Sequence, residues 1–526
     1  MGHAASVEST YQGKQVTEYQ GESPSLKEEK PGLGTRAWSS IKSIPREISI
    51  FCRAVGKVSL VAYYLVKHTL FGRELTSEHL QNYLTRLGPA YSKLLQMLVG
   101  YPDLLEQLCN ALNSTESERE KFDGVIRNVL DNNPEIPMSV PRSILDKAGS
   151  KDLSVERHIA TGTIGSCFEV KKDEDSLVAK VVPHWKANDL AAGLKSIRIM
   201  LMFLPKDIRM TIREMTDPYI QECNLKQEKK NQTVFKETLE KTTQTEIIEN
   251  RLMDKPVTLT FKVAKISEAV NTENLLIMEH INGGHTLNEL MNPANEQLRA
   301  ELYQTCFGQP PLLDCFSKFT LAVVHSQIKA KWRELALKHG IVHGDCHTGN
   351  IMLSCKSDHQ IDVWFIDFGN CVTLTPAQRT QFPDIVGLLS HLANPFGPEA
   401  LDQTGIDRLV DILWDEVAIS HRANTPENKE KFKNRLIEDL NEFRDLDLLI
   451  GRIRALRSMS PEQELEFRED LRDPDFQEDL KIQVLSLVSA RLNSSCVQLG
   501  IQLPSSFTRY ISAHLRAGVI LEKQDC

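Results

Sequence analysis

The sequence predicts an α+β protein of two lobes, with helical segments ahead of the lobes and a helical region after them. Three observations lead there. Short runs of strand character cluster at about 155–183 and 257–281, a long helical pattern over 314–339 leads into apolar strands, and beyond 375 the pattern is almost entirely helical. With 526 residues, 41% hydrophobic and 25% charged, the chain can bury a large core and build two lobes with flanking helices.

Composition excludes some function classes. The net charge is -9, the pI is near 6.0, and Lys and Arg are spread along the chain, so no basic footprint points to nucleic acid. The 11 cysteines form no C-x-x-C pair and no regular spacing, which fits reduced thiols in an intracellular protein. The start is polar and carries Glu8, Glu18, Glu22, Glu28 and Glu29, which argues against a secretory signal and disfavours the mitochondrial matrix. A cytoplasmic protein with peripheral membrane association is the expectation.

In chain order, 1–36 reads as a disordered tail. Its opening Met1-Gly2-His3-Ala4-Ala5-Ser6 fits the N-myristoylation pattern, with Gly2 as acceptor, against the alternative of an inert tail. The segment 37–74 is amphipathic: Ile48, Phe51, Cys52, Val55, Val58, Ala62, Leu65 and Val66 recur at helical spacing, while Arg53 and Lys57 interrupt any spanning run. Two readings stay open, a helix packed on the core and a helix lying on a membrane beside Lys42, Arg46, Arg53, Lys57 and Lys67. The pattern is helical over 75–150. A strand-rich first lobe over 151–282 and a second lobe over 283–390 follow, with a helical region at 391–526. The charge-dense stretch from Glu222 to Lys241 reads mainly as a solvated helix face. The helix over 314–339 stops at Lys338, His339 and Gly340, cations in the last turn and glycine just beyond.

The strongest motif is His343-Gly344-Asp345-Cys346-His347-Thr348-Gly349-Asn350, between the strand Gly340-Ile341-Val342 and Ile351-Met352-Leu353. It matches H-x-D-x-x-x-x-N, in which the aspartate receives or orients an attacking hydroxyl and the asparagine holds a metal. Seventeen residues after Asn350, the apolar Val363-Trp364-Phe365-Ile366 delivers Asp367-Phe368-Gly369, the place for a second oxygen ligand to Mg²⁺. A zinc site on His343, Cys346 and His347 is the rival reading and leaves Asp345 and Asn350 without a role. Upstream, Ile159-Ala160-Thr161-Gly162-Thr163-Ile164-Gly165 follows the glycine-rich loop template, with Gly162, Thr163 and Gly165 as candidate nucleotide contacts. Fifteen residues beyond Gly165, Lys180 sits in the apolar strand Leu177-Val178-Ala179-Lys180-Val181-Val182, where an ammonium is costly unless paired. Glu228 is its candidate partner. The strand Leu275-Leu276-Ile277-Met278-Glu279 adds Glu279 as a nucleotide-site candidate.

Taken together, Leu87-Gly88-Pro89-Ala90-Tyr91-Ser92-Lys93-Leu94-Leu95-Gln96, Pro102-Asp103-Leu104-Leu105, the loop at 160–165, Glu222 to Asn231, Met278-Glu279-His280-Ile281-Asn282-Gly283 and the His343–Asn350 loop resemble the UbiB/ADCK atypical kinase family over about 75–390. The resemblance implies a bilobal protein-kinase-like fold with an N-terminal helical extension, use of ATP and Mg²⁺, and a role in isoprenoid quinone or lipid metabolism, with a lipid or quinone precursor as ligand. It implies an extension helix bearing Lys93 and Gln96 that folds over the site, and an alanine-rich loop in place of the glycine-rich one. It also implies a Glu-x-Asp six positions before the lysine-pairing glutamate, which marks Glu222 and assigns Glu228 to Lys180. The chain departs from the family at Leu95, where the family has glycine, at Asn224, where it has aspartate, and in a loop nearer to that of ordinary kinases. His347 reads as a loop brace.

Only Asn370 to Leu374 separates Asp367-Phe368-Gly369 from a helix start at Thr375-Pro376-Ala377-Gln378, a capping box with proline at the first turn. No activation segment fits there, so a peptide-docking platform is not expected and a small or lipid-like acceptor is. Two alternatives remain: a small-molecule phosphotransferase of aminoglycoside-kinase type, and a nucleotide-gated scaffold that transfers no phosphate.

Overall fold

The computed structural model describes residues 46–69, scattered positions between 82 and 94, 136–202 apart from 163, 223–248, 256–308, 314–398 apart from 358, 401–416, 425–457, 460–499, 503 and most of 506–514. Gly2, Lys93, Leu95, Gln96, Thr163 and Glu222 lie outside the described residues, as does the tail at 1–36. The chain divides into two units after Ser49, and of the first only Arg46–Ser49, the opening of a helix, is described.

That helix is α1 (Arg46–Thr69), followed by α2 (Ser139–Ala148), β1 (Ser154–Thr161), β2 (Ser166–Lys172), β3 (Asp175–Val181), α3 (His184–Leu201), α4 (Leu225–Leu239), β4 (Thr245–Ile248), β5 (Val257–Val263) and β6 (Leu275–Glu279). An antiparallel sheet runs β1-β2-β3-β6. Its alternation sorts the faces. Phe168, Val170, Ala179, Val181, Leu275 and Ile277 point to one side and pack with Ile136 and Leu145 around α2. Lys180, between Cys167 and Leu276 in register, therefore emerges on the other side, toward α3 and α4.

The chain continues through β7 (His285–Thr286), α5 (Leu287–Met291), α6 (Glu296–Phe307), α7 (Asp314–Lys338), β8 (Ile341–His343), β9 (Ile351–Ser357), β10 (Gln360–Phe365), β11 (Cys371–Thr373) and α8 (Pro376–Leu392). A second sheet has the order β4-β5-β10-β9-β7, and in it β5 pairs in parallel with β10, Phe261 opposite Val363. Strands from the first-lobe stretch thus join strands that flank the catalytic-type loop. The driving pattern is visible in β5: Val257, Leu259, Phe261 and Val263 turn into the core, while Lys262 on the other face meets Asp362 at 2.7 Å. β4 is a strand that the sequence pattern did not reveal. The capping box at Thr375 and Gln378 forms as the sequence indicates, and the short β11 pairs with β8, Cys371 opposite His343.

Beyond α8 come α9 (Gln403–Glu416), α10 (Pro426–Arg444), α11 (Leu446–Arg457), α12 (Pro461–Asp470) and α13 (Pro474–Gln498). One core runs from β8, β9 and β10 into these helices, so the helical region is continuous with the second lobe. Within it the buried Asp439 of α10 ties to α13 through Arg491 at 2.9 Å and Ser495 at 2.7 Å.

α1 corrects one part of the sequence reading. Its packed face is Ile50, Ala54 and Lys57, with Leu60 and Val61 partly buried, whereas the apolar stripe through Phe51, Cys52 and Val55 is exposed. Lys57, one of the cations set beside a membrane-lying helix in the sequence reading, is 8% exposed. It pairs with Asp189 of α3 at 3.0 Å and donates to the Leu87 carbonyl. A buried ammonium needs such partners, and Asp189 lies too far along the chain for local pattern to reveal it. The segment at Leu87–Tyr91 is seated on α3: Tyr91 bonds Ser196 at 2.8 Å, and a Cβ at Gly193 would lie 2.4 Å from that of Ala90.

Candidate active site

Lys180 is the centre of the site. Its Nζ lies 2.8 Å from Glu228 Oε1 and 3.0 Å from Asp367 Oδ1, with side chains 16%, 3% and 46% exposed respectively. Glu228 stands in the first turn of α4, and Lys180 on the α4-facing side of its sheet, so strand alternation and helix start together aim the pair. Burial works against the ammonium, but the two carboxylates outweigh it and raise Lys180 above the ordinary lysine value. Burial likewise works to raise Asp367, and the Lys180 charge overcomes it, holding that carboxyl down at about 2. Burial pushes Glu228 up, with Lys180 opposing. Lys180 is therefore charged at neutral pH.

Asp367 has φ 59, a left-handed conformation that aspartate tolerates better than most residues, and its Oδ1 accepts from the Gly369 amide at 3.3 Å. Phe368 turns inward among Phe235 of α4 (ring centroids 5.1 Å) and His343 (5.2 Å). Asn231, one turn beyond Glu228, donates to the Phe368 carbonyl at 2.8 Å. Sequence reading missed this clasp, although Gln227 and Asn231 at i,i+4 on the helix of Glu228 were its signal.

The loop from His343 is braced through its backbone. His343 is buried, accepts from the Asp345 amide at Nδ1 (3.3 Å) and contacts the Ile366 carbonyl through Nε2 (3.0 Å), which requires the neutral Nε2–H tautomer. Burial pushes its imidazole down to about 4, in keeping with that tautomer. With both nitrogens used and Cys346 buried, a zinc site on His343, Cys346 and His347 does not form. His347 caps the turn Thr348–Asn350 by accepting from Gly349 N at 3.0 Å and lies 3.6 Å from Asp345 Oδ2, which makes it a brace. Asn350 donates through Nδ2 to the Asp345 carbonyl (2.9 Å) and Oδ2 (3.4 Å). Gly344 donates to the Asn370 carbonyl at 2.6 Å, in contact so close that a Cβ there would lie 2.5 Å from that oxygen.

Other candidates fall nearby with different duties. The Gly162 amide is engaged by the Gly165 carbonyl at 2.8 Å, so it closes the loop rather than pointing at a ligand. Ile164 at the loop tip is buried with Leu87, Ala90 and Tyr91, which joins the loop to the N-terminal extension. Glu279 ends β6 with its side chain exposed, accepting from Lys265 N at 3.0 Å. Asn224, at the departure from Glu-x-Asp, is the N-cap of α4 and accepts from Lys226 and Gln227.

Oxygen donors at Asp367 and Asn350 fit a hard cation such as Mg²⁺ that takes its remaining ligands from phosphates and water. Asn350 already spends its amide nitrogen on Asp345, which leaves its oxygen as the group for a metal. Among the described residues no cluster of three His, Cys, Asp or Glu could hold a metal alone.

Residues 156–392 match the family described as the ABC1 atypical kinase-like domain. No curated protein matches the chain in sequence. Similar solved structures include a MAP kinase from Leishmania major, 11% identical with a TM-score of 0.21 over 74% of this chain and 89% of that one. A microcompartment-associated aminopropanol kinase is 11% identical with a TM-score of 0.19 over 68% of this chain and 99% of that one. The match begins at residue 156, and Lys180, Glu228, the His343–Asn350 loop and Asp367 lie within it. Over residues 156–392 the chain thus matches an ABC1 atypical kinase-like domain, consistent with the UbiB/ADCK-type atypical kinases that its motifs resemble.

Proposed function

We propose that the protein is a magnesium-dependent, ATP-binding atypical kinase or ATPase that works at a membrane surface on a small or lipid-like acceptor, in isoprenoid quinone or lipid metabolism. The observation that carries this reading is the Lys180 ammonium held between Glu228 and Asp367 beside the Asp345–Asn350 loop. Asp367 and the Asn350 side-chain oxygen would hold Mg²⁺, which would supply positive charge to offset that of the phosphates. Lys180 then supplies a fixed cation to the phosphates, and Glu228 keeps it in place. Asp345 orients the acceptor hydroxyl and takes its proton as the acceptor oxygen bonds to the γ-phosphorus and the bond to the β,γ-bridging oxygen breaks.

The short link from Gly369 to Thr375 supports a non-peptide acceptor, since β11 and the helix cap use all of it. The open face of α1, with Phe51 49%, Val55 44% and Tyr63 59% exposed, supports membrane attachment. None of the described helices is long and apolar enough to cross a membrane. The test is ATP turnover by purified protein with and without liposomes and phenolic lipids. Magnesium-dependent turnover that rises with lipid is expected. MgATP binding without hydrolysis or transfer under every lipid condition would replace the enzyme with a nucleotide-gated scaffold.

A further inference from the structure

α7 carries a group of basic side chains that the site above does not use. His325, Lys329 and Arg333 recur every four residues, so they stand on one face of the helix. His514 joins them from the helical residues near 510, its ring centroid 6.2 Å from Trp332 of α7 and 6.2 Å from Tyr510. His325 is only 4% exposed, and its buried Nδ1 has no hydrogen-bond partner. Lys331 and Lys338 on the same helix are paired instead, Lys331 with Glu246 and Glu334, and Lys338 with Glu334. Among the described residues no carboxylate pairs with Lys329 or Arg333.

Such a group repels itself. Burial pushes His325 and His514 each down to about 4, and the Lys329 charge adds to both shifts. Burial also lowers Lys329, with Arg333 contributing. Two fixed cations, a half-buried imidazole and an unused buried nitrogen converge with no carboxylate partner among the described residues, which is the donor set of an anion site. A tetrahedral oxyanion, which accepts from several directions, suits donors arriving from two separate chain segments.

We propose that His325, Lys329, Arg333 and His514 bind a phosphate-bearing ligand, either a soluble phosphate or the phosphomonoester headgroup of a lipid. Trp332 gives the site a route to the catalytic loop. Its ring stacks on Tyr510 at 5.8 Å, and its Nε1 donates to the His343 carbonyl at 3.1 Å. A ligand that draws Arg333 and His514 together acts on the same indole that holds the start of the Asp345 loop. Occupancy is thereby coupled to the position of that loop.

The test is titration of full-length protein, without ATP, with inorganic phosphate against chloride at matched ionic strength, read by calorimetry and melting temperature. A second arm uses phosphatidylcholine vesicles with and without phosphatidic acid, read by co-sedimentation. Saturable phosphate binding is expected in the wild type, weakened at least about tenfold in the Lys329→Gln/Arg333→Gln variant and largely restored when position 329 is Arg. Binding to the phosphatidic acid vesicles alone, lost in the same variant, assigns the ligand to a lipid headgroup. Arg333→Gln alone, at an exposed position, provides the folded comparison if the double variant is unstable. Lys180→Met must keep the response, because loss there would place the phosphate in the nucleotide site. Equal responses of wild type and variants to both probes, or phosphate no better than chloride, would overturn the proposal.

Discussion

At the scale of single residues, the site is built by contacts that leave little room. A Cβ at Gly344 would meet the Asn370 carbonyl at 2.5 Å, and Asn370 immediately precedes β11, which pairs with β8 at the start of the loop. Gly344→Ala should therefore lower stability by about 1–3 kcal/mol, as overpacking does, and reduce ATP turnover with it. Gly387, in the middle of α8 with nothing within 4 Å of its Cβ position, predicts the opposite. Gly387→Ala should raise stability by roughly 0.5–1 kcal/mol. Chemical denaturation of both variants measures the contrast, and equal effects would contradict this account of the loop. The residues of the site were largely legible, because Lys180, Asp345, Asn350 and Asp367 lie in short motifs with fixed spacing. Glu228 was assigned only through a family resemblance, since a helix carboxylate carries no local sign of a partner on a strand. Asn231 and Ile164 escaped because their duties are set by what folds against them.

At the scale of elements, helices were easier to read than strand partners. The long α7 with Gly340 after it and the capping box of α8 are local signals, and both formed as read. The parallel pairing of β5 with β10 depends on residues about a hundred positions apart and left no local mark. α1 was misread in its packed face for a related reason: Lys57 joins that face only because Asp189 of α3 is placed beside it. The seat of the extension on α3 predicts a testable coupling. Gly193→Ala brings two Cβ atoms to 2.4 Å at Ala90 and should cost on the order of 1–3 kcal/mol. Ala90→Gly should recover most of that loss, giving a coupling of at least about 0.5 kcal/mol in a double-mutant cycle. Simple additivity of the two substitutions would show that this seat is not formed in solution.

At the scale of the whole molecule, burial of histidine makes stability depend on pH. Burial depresses His325, His343 and His514 from 6.5 to about 4, so the folded state holds them neutral while the unfolded chain takes up protons. Stability should be full above pH 6.5 and decline as pH falls toward 4, by roughly 3 kcal/mol for the fully buried His343. Urea midpoints across that range measure it, and His325→Leu should flatten the slope; a flat profile in the wild type would contradict the burial of these rings. The central claim is that Asp367 holds the metal and nucleotide while Asp345 serves the acceptor. Its most direct measurement is MgATP-induced stabilisation together with turnover in Asp367→Asn and Asp345→Asn. Wild type should gain about 2.7 kcal/mol with ATP at 100 times its dissociation constant, and Asp367→Asn should lose that gain. Asp345→Asn should keep it while turnover falls by about 10² to 10⁴. Stabilisation retained by Asp367→Asn, or lost by Asp345→Asn, would contradict the assignment of roles.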